Sequence, residues 1–114
     1  MKLQQNPLKQ ELTNKLIAAK AFWSYAMPAD VVIPDEVLIE KTMIHLDIEE
    51  INQLFLLYPK HKIKAAWRDR LVVQGDGYYT LNNFIARVYF KVKNPDAYFK
   101  RVTTIYLKKI QIPN

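Results

Sequence analysis

The sequence predicts an all-α protein, a single compact domain of five or six helices. Apolar residues recur at spacings of three and four through most of the 114-residue chain, which is the period of a helix with one buried face. Asn6-Pro7 and Asn94-Pro95 each place a cap residue before a proline, a pattern typical of helix starts. Both glycines, Gly75 and Gly77, lie in one short turn.

Length and composition set the class of protein. With 114 residues, of which 50% are hydrophobic, the chain is long enough to bury a core as one domain, residues 1–114. The absence of cysteine excludes disulfides, thiolate zinc sites and cysteine nucleophiles. The amino terminus lacks the run of about 7–15 apolar residues of a signal peptide, and no stretch approaches the ~20 apolar residues of a membrane span. We therefore expect a cytoplasmic protein without a membrane segment.

Charge is unevenly distributed along the chain. Residues 1–59 carry five lysines and eight acids, a net charge of −3, whereas residues 60–114 carry twelve Lys or Arg and three acids, a net charge of +9. A surface this basic attracts phosphate backbones, anionic membranes or acidic proteins. The charge by itself does not choose among them.

The first helix is predicted over residues 7–24, from Asn6-Pro7 onward. The aromatic pair Phe22 and Trp23 lies near its end, where two roles stay open, part of the core or a docking surface for a partner. Its apolar side consists of Leu8, Leu12, Leu16, Ala19 and Trp23.

The second helix is predicted over residues 34–46, with Pro34 at its first position. It has apolar residues on two sides, so we expect it to be packed on both. Ile39, Met43 and Leu46 mark one side, and Val37 and Ile44 lie nearly opposite.

Residues 47–70 are predicted to form two short helices joined at Tyr58-Pro59. The spacing of Asp47 and Glu50 predicts a capping box at the first helix. Pro59 disfavours helical backbone at Tyr58 and suits the first turn of a new helix. The buried side of the first helix is predicted to consist of Ile51, Leu54, Phe55 and Tyr58, and that of the second of Ile63, Ala66, Trp67 and Leu71.

The second helix of this pair also carries a basic row, His61, Lys64 and Arg68. A tight helix pair whose second member is basic is typical of a DNA-reading helix-turn-helix. Such pairs are also a common way to build a helical core. The pair has no glycine in its turn and no Asn, Gln or Ser pattern for reading base edges, so both interpretations stay open.

Residues 71–81 surround the polar turn Gln74-Gly75-Asp76-Gly77. The short β-prone runs on either side are compatible with a hairpin, which after a helix-turn-helix would form a wing. The alternative is an interhelical loop in which Gly75 caps one helix and Thr80 starts the next. Because strands of three or four residues are marginal, the loop is favoured.

Two further helices are predicted, over residues 80–93 and 95–110, separated by Asn94-Pro95. The run 102–105 is β-branched and favours a strand, which competes with the last helix. The apolar positions of the first are Leu81, Phe84, Ile85, Val88 and Val92, and the predicted buried side of the second consists of Phe99, Val102, Ile105, Tyr106 and Ile110.

No residue pattern indicates catalysis, a metal or a cofactor. His45 and His61, the only histidines, lie on separate elements and have no cysteine to complete a zinc site. Glu36 and Glu40 are one turn apart, but the helix dipole accounts for acids at that end. Ser24 is not in a nucleophile elbow. We therefore predict a protein that is not an enzyme.

Two sets of binding residues remain as hypotheses. Tyr78 and Tyr79, beside Asn82 and Asn83, are suited to stacking or docking, or else cap the core with their hydroxyls in water. The nucleic-acid set is His61, Lys62, Lys64, Arg68, Arg70 and Arg87, and the partner-binding set is Phe22, Trp23, Tyr78 and Tyr79.

A family resemblance is carried by three segments, IPDEVLIEKTMIHLDIEEINQLFLLYP, IKAAWRDRLV and LNNFIARVYFKVKNPDAYFK. Together with Phe22 and Trp23 they resemble a family of small bacterial proteins classed as a domain of unknown function, over about residues 22–100. Members of that family are often encoded beside nucleotidyltransferase toxins of the abortive-infection, AbiEii-like class. The resemblance therefore implies an antitoxin-like or accessory role, and it implies no catalytic residues. The matched positions are Phe22, Trp23, Asp47, Glu49, Trp67, Asn82 and Pro95.

The sequence thus leads to two hypotheses of function. The first is a regulatory, partner-binding protein without catalysis, an antitoxin-like accessory to a nucleotidyltransferase that acts as its protein partner. The second is a DNA-binding domain that uses the basic helix-turn-helix.

Overall fold

The computed structural model describes residues 7–21 and 33–110. Over these residues it contains six α-helices, one 3₁₀ segment and no strand, which confirms the all-α prediction. The helices are α1 (Pro7–Ala18), α2 (Asp35–His45), α3 (Ile48–Leu57), α4 (Lys60–Arg70), α5 (Tyr79–Val88) and α6 (Pro95–Ile110), and the 3₁₀ segment is Val72–Tyr78.

The chain divides into two compact units, Met1–Ile63 and Lys64–Asn114. The prediction of one domain over residues 1–114 stays a prediction. In the first unit α1, α2 and α3 pack against one another in all three pairings. Its main buried side chains are Leu12, Leu16, Leu38, Ile39, Met43, Ile51, Leu54 and Ile63.

The buried side of α2 differs from the prediction of two apolar sides. Leu38, Ile39 and Met43 are buried, whereas Val37 and Ile44 are only half-buried. Helices α1 and α3 both pack on α2, and its fully buried apolar residues recur with the 3.6-residue period of a helix.

The helix pair begins and breaks where the sequence predicts. The capping box is present at α3, since the Asp47 backbone N–H donates to Glu50 Oε1 at 3.0 Å and the Asp47 side chain accepts from the Glu50 N–H. Tyr58 is extended and ends α3. The carbonyl of Pro59 then accepts from the N–H groups of Lys62 and Ile63, at 3.0 and 3.2 Å, which starts α4.

Helix α1 ends earlier than predicted, at Ala18 instead of residue 24. Lys20 adopts a left-handed backbone with φ of 61°. The N–H groups of Lys20 and Ala21 donate back to the carbonyls of Ile17 and Leu16, which is the Schellman arrangement that stops a helix. Residues 22–24 lie outside the described residues.

The second unit begins within α4, at Lys64. The inward residues predicted for this helix are confirmed, since Ile63, Ala66, Trp67 and Leu71 are at most 4% exposed. In this unit α5 and α6 pack on each other and on the 3₁₀ segment.

Residues 71–81 contain no hairpin, so the alternative of a short β-hairpin is wrong. The 3₁₀ segment occupies the turn, and Gly75 has a φ of 85° within it, a backbone that suits glycine. The runs flanking the turn are too short for stable strands, and their backbone groups are used locally, as in the Gln74 N–H that donates to the Leu71 carbonyl at 3.0 Å. Helix α5 starts at Tyr79 rather than at Thr80.

The last two helices differ from prediction in length and in buried face. Helix α5 ends at Val88, five residues early, and Lys91 takes up a left-handed φ of 55° beyond it. Its buried residues are Asn82, Ile85 and Ala86, so the inward face is centred on a polar residue that the apolar pattern did not include. Helix α6 has the predicted bounds, but Ile105, Tyr106 and Ile110 are exposed.

Candidate functional site

An aromatic cluster around Trp67 organises the second unit. The rings of Trp67 and Tyr98 are nearly parallel, with an interplanar angle of 4° and centroids 5.8 Å apart. Phe90 and Phe99 lie at 5.1 and 6.2 Å from Trp67. The indole N–H donates to Asn82 Oδ1 at 3.0 Å, and Asn82 Nδ2 donates to the Leu71 carbonyl at 3.3 Å. This network fixes α4, α5 and α6 to one another.

Basic side chains of α4 and α6 surround Tyr98. The ammonium of Lys64 lies 5.6 Å from the Tyr98 centroid, and the guanidinium of Arg101 lies 5.4 Å from it. These are cation–π distances. Burial raises the pKa of Tyr98, and the nearby charges of Arg68 and Arg101 oppose that rise. The result is a half-buried phenol ring with two cations at cation–π distance and the charge of Arg68 acting on it from nearby.

Arg68 is held by its neighbour in sequence. Its Nε and an Nη donate to the two carboxylate oxygens of Asp69, at 2.8 and 3.2 Å. The hydrogen bond to Asp69 raises the pKa of the Arg68 guanidinium. This bidentate pair uses two of the five N–H donors of the guanidinium, so Asp69 partly neutralises and orients Arg68 while three donors remain.

The other predicted nucleic-acid residues lie in different surroundings. His61 and Arg70 are exposed. Lys62 forms an ion pair of 2.7 Å with Asp35, and the Arg87 Nε donates to Asn83 Oδ1 at 2.8 Å. Only Lys64 and Arg68 are brought next to Tyr98, together with Arg101, which the sequence reasoning did not select. The sequence signal for Arg101 was its spacing of three residues from Tyr98, which places the two side chains next to each other on a helix.

The ion pair of Lys62 belongs to a cluster in the first unit. Asp35 accepts from Lys62, Lys9 and the Tyr58 hydroxyl at 2.7, 2.9 and 2.8 Å. The hydrogen bond from Lys62 is the main reason why the pKa of the Asp35 carboxyl lies well below its usual range. Burial, together with the hydrogen bond to this carboxylate, raises the pKa of the Tyr58 hydroxyl. A general acid or base needs a pKa near the working pH. The pKa of Asp35 is lowered and that of Tyr58 is raised, so both shifts move away from neutral pH. The cluster therefore fits a structural role.

The predicted partner-binding residues divide into two cases. Phe22 and Trp23 lie outside the described residues. Tyr78 is half-buried and Tyr79 is exposed, and the Tyr79 hydroxyl donates to Asp96 Oδ1 at 2.6 Å. This hydrogen bond raises the pKa of Tyr79. Its role in binding a partner stays a prediction.

The end of α6 presents four large apolar side chains to solvent. Every residue from 104 to 110 is exposed, although the sequence pattern predicts a buried stripe here. The exposed fractions are 50% for Ile105, 39% for Tyr106, 43% for Leu107 and 62% for Ile110. Lys108 and Lys109 lie among these residues, so this end of the helix is both apolar and basic.

Two shallow pockets flank α6. The first, of about 330 Å³, is lined on the α6 side by Asp96, Phe99, Lys100, Thr103 and Thr104. The second, of about 250 Å³, lies between α6, α4 and the 3₁₀ segment. We call the second pocket the α6 groove. It is lined by Arg68, Asp69, Val73, Val102, Ile105, Tyr106 and Lys109.

Residues 7–21 and 33–110 contain no group of three or more His, Asp or Glu side chains arranged to hold a metal ion. Within the same ranges, none of the helices combines the length and the apolar character that crossing a bilayer requires.

Comparison with known proteins gives no relative. The chain matches no family model, no curated protein and no solved structure. The resemblance to the family of small bacterial proteins therefore stays a prediction that depends on the quoted segments.

Proposed function

We propose that this protein binds a partner protein through the end of α6 and acts without catalysis, as a regulatory or accessory protein. The observation that carries the proposal is the exposed apolar end of α6, residues 104–110. Four of the last six side chains of this helix are large and apolar and lie between 39% and 62% exposed. Exposed apolar patches of this kind mark interaction sites.

The energetics favour a covered state of this helix end. Each large side chain gains about 1.5–3 kcal/mol when it moves from water to a fully buried site. The four side chains are already partly covered, so a partner gains only the part of this free energy that belongs to the surface still exposed. A hydrophobic centre of this kind with charged residues around it is the usual anatomy of a protein interface.

The antitoxin-like role belongs to the same proposal. It rests on the resemblance quoted above, whose family members are encoded beside nucleotidyltransferase toxins. In this proposal the protein acts by contact with its partner, and the apolar end of α6 supplies the surface for that contact.

Co-expression tests the proposal. The tagged protein is expressed with the proteins encoded beside it, and the complex is measured by affinity purification and light scattering. We expect a stoichiometric complex that is lost when Ile105→Ser and Leu107→Ser are combined. Val88→Ser, at a side chain 46% exposed on α5, is the matched control and should retain the complex.

Two results would contradict the proposal. One is a complex that survives the double substitution at α6 unchanged. The other is the absence of any complex with the neighbouring gene products. Circular dichroism checks that each variant keeps the helical content of the parent.

A second candidate function is nucleic-acid binding through the cations around Tyr98. Lys64 and Arg101 are within cation–π distance of this ring, and residues 64–114 carry ten Lys or Arg against three acids, a net charge of +7. In this case binding to duplex or single-stranded DNA falls with salt, with a log–log slope of about −0.7 to −0.9 for each phosphate contacted. Lys64→Glu should weaken it, whereas Lys93→Glu is the control for charge alone. No binding at low salt would exclude this function.

A further inference from the structure

We propose that the partner segment seated on α6 is an acidic amphipathic helix, with one apolar side chain inserted in the α6 groove. This inference rests on the proposed function and names the chemistry of the partner.

The groove has the size and the lining of a site for an anchor side chain. Its volume is about 250 Å³, below the ~300–1,000 Å³ of pockets that enclose a whole small ligand. Val102, Ile105, Tyr106 and Lys109 follow the spacing i, i+3, i+4, i+7 and therefore share one side of α6. Val73 of the 3₁₀ segment forms the opposite wall. An aliphatic or aromatic side chain fits these surroundings.

The secondary structure of the surface favours a helix as the ligand. A partner strand needs an open sheet edge to pair with, and residues 7–21 and 33–110 form helices with no strand. A helix needs an elongated apolar surface with contacts one turn apart. Ile105 continues the groove along α6 from Val102, and Tyr106 borders it, which supplies contacts over successive turns.

The charge around the groove favours an acidic ligand. Lys109 lines the groove, and Lys108 and Arg101 are exposed on the same helix. Among the ion pairs within the described residues, none involves Lys108 or Lys109. Asp69 is the one acid of the groove, and its carboxylate is occupied by Arg68. The groove therefore presents net positive charge to a ligand.

Labelled peptides test this inference without knowledge of the partner. Three helical peptides carry the same leucines at i, i+3, i+4 and i+7 and differ only in their flanking residues, which are Glu, Gln or Lys. Fluorescence anisotropy gives the affinity of each for the full-length protein at low and at physiological salt. We expect the Glu peptide to bind about tenfold or more tightly than the Gln peptide, a difference of about 1.4 kcal/mol, and the Lys peptide to bind most weakly.

Matched variants assign the binding to the groove. Lys109→Glu should remove the preference for the Glu peptide, and Lys93→Glu, the same charge change at an exposed site away from the groove, should leave it in place. Ile105→Ser should weaken the Glu and Gln peptides by similar factors, because it removes an apolar contact that both share. Val88→Ser should change neither.

Several outcomes would overturn the inference. Equal binding of all three peptides would show that charge does not select the ligand. A preference that survives Lys109→Glu would place the site elsewhere. Sedimentation that reveals a dimer lost in Ile105→Ser would make a second copy of this chain the occupant, and binding to phosphatidylserine vesicles lost in the same variant would make it a membrane surface.

The co-expression experiment and the peptide experiment can each fail independently of the other. If the neighbouring protein forms an α6-dependent complex and the peptides show no acidic preference, the proposed function stands and the partner chemistry is wrong. If the Glu peptide binds as expected and no neighbouring protein forms a complex, the groove is a binding site but the antitoxin-like assignment is wrong.

Discussion

Replacement of Asn82 by leucine should destabilise the second unit, because it breaks a buried hydrogen bond at its centre. Asn82 is 2% exposed and Trp67 is fully buried. The Trp67 indole N–H donates to Asn82 Oδ1 at 3.0 Å. Leucine has the same branched arrangement of four side-chain heavy atoms as asparagine, so the substitution removes the acceptor without leaving a cavity. The indole N–H is then buried without a partner.

Most of the stability lost in Asn82→Leu comes from the indole N–H that is left without an acceptor. A buried donor left without an acceptor costs about 1–3 kcal/mol. The second hydrogen bond of Asn82, to the Leu71 carbonyl, is long at 3.3 Å, and this carbonyl still accepts from the Gln74 N–H at 3.0 Å. Its loss adds little. We therefore expect Asn82→Leu to lower the free energy of unfolding by about 2–3 kcal/mol, mostly through the stranded indole.

A double-mutant cycle separates this hydrogen bond from packing. Urea denaturation followed by circular dichroism gives the free energy of unfolding of the parent, Asn82→Leu, Trp67→Phe and the double variant. Trp67→Phe strands the Asn82 carbonyl oxygen, but in the double variant neither group is left unpaired. The double variant should therefore be more stable than the sum of the single losses predicts, by about 1–2 kcal/mol. Additive losses, or an Asn82→Leu variant as stable as the parent, would refute the reasoning.

Three other predictions concern stability. Asp35→Asn should lower the free energy of unfolding by about 1–2 kcal/mol at pH 7, where three partners bond the carboxylate. Folding lowers the pKa of Asp35, so this stabilisation is present above the pKa of the unfolded state, about 4, and shrinks as the pH falls below that value. Urea titrations from pH 7 to pH 3 should show the gap to the parent closing, and a gap that widens, or one that Glu36→Gln reproduces, would contradict this. Lys91→Gly should raise the free energy of unfolding by about 0.5–1 kcal/mol because glycine removes the strain of the left-handed backbone. The control Lys100→Gly, inside α6, should lower it by about 1 kcal/mol. A loss of stability at both sites in thermal melts would show that the left-handed φ of Lys91 carries no strain. Trp67→Ala should cost about 3–5 kcal/mol in urea denaturation, and a loss below about 1 kcal/mol would be incompatible with the burial of this ring.

Local signals in the sequence determined where several helices begin. The Asp47 and Glu50 box, the break at Tyr58-Pro59 and the start of α6 at Asn94-Pro95 depend on side chains within four residues of each other, and the structure contains all three. Asn94 Oδ1 accepts from the Ala97 N–H at 3.1 Å, as its position predicts. Short-range hydrogen bonds of this kind are encoded by the sequence alone.

The apolar pattern located the core of α4 but failed at α5. Trp67 and Leu71 are fully buried as the helical spacing predicts. In α5 the inward face includes Asn82, a polar residue that a hydrophobic pattern assigns to solvent. Its burial is favourable only because Trp67, fifteen residues away, supplies a donor. Periodicity contains no information on such a partner.

The candidate site was the part least accessible from sequence. The spacing of Ile105, Tyr106 and Ile110 predicts a buried stripe, and α6 has the predicted bounds. These side chains are nevertheless exposed, because no element of residues 7–21 and 33–110 covers this end of the helix. The sequence likewise suggests that the basic side chains of α4 are all unpaired, whereas Lys62 forms an ion pair with Asp35 and Arg68 forms one with Asp69. The sequence by itself determined the helical class, several of the helix starts and the excess of positive charge. The tertiary structure decided which apolar side chains stay exposed and which charges are already paired, because both depend on contacts between residues far apart in the chain.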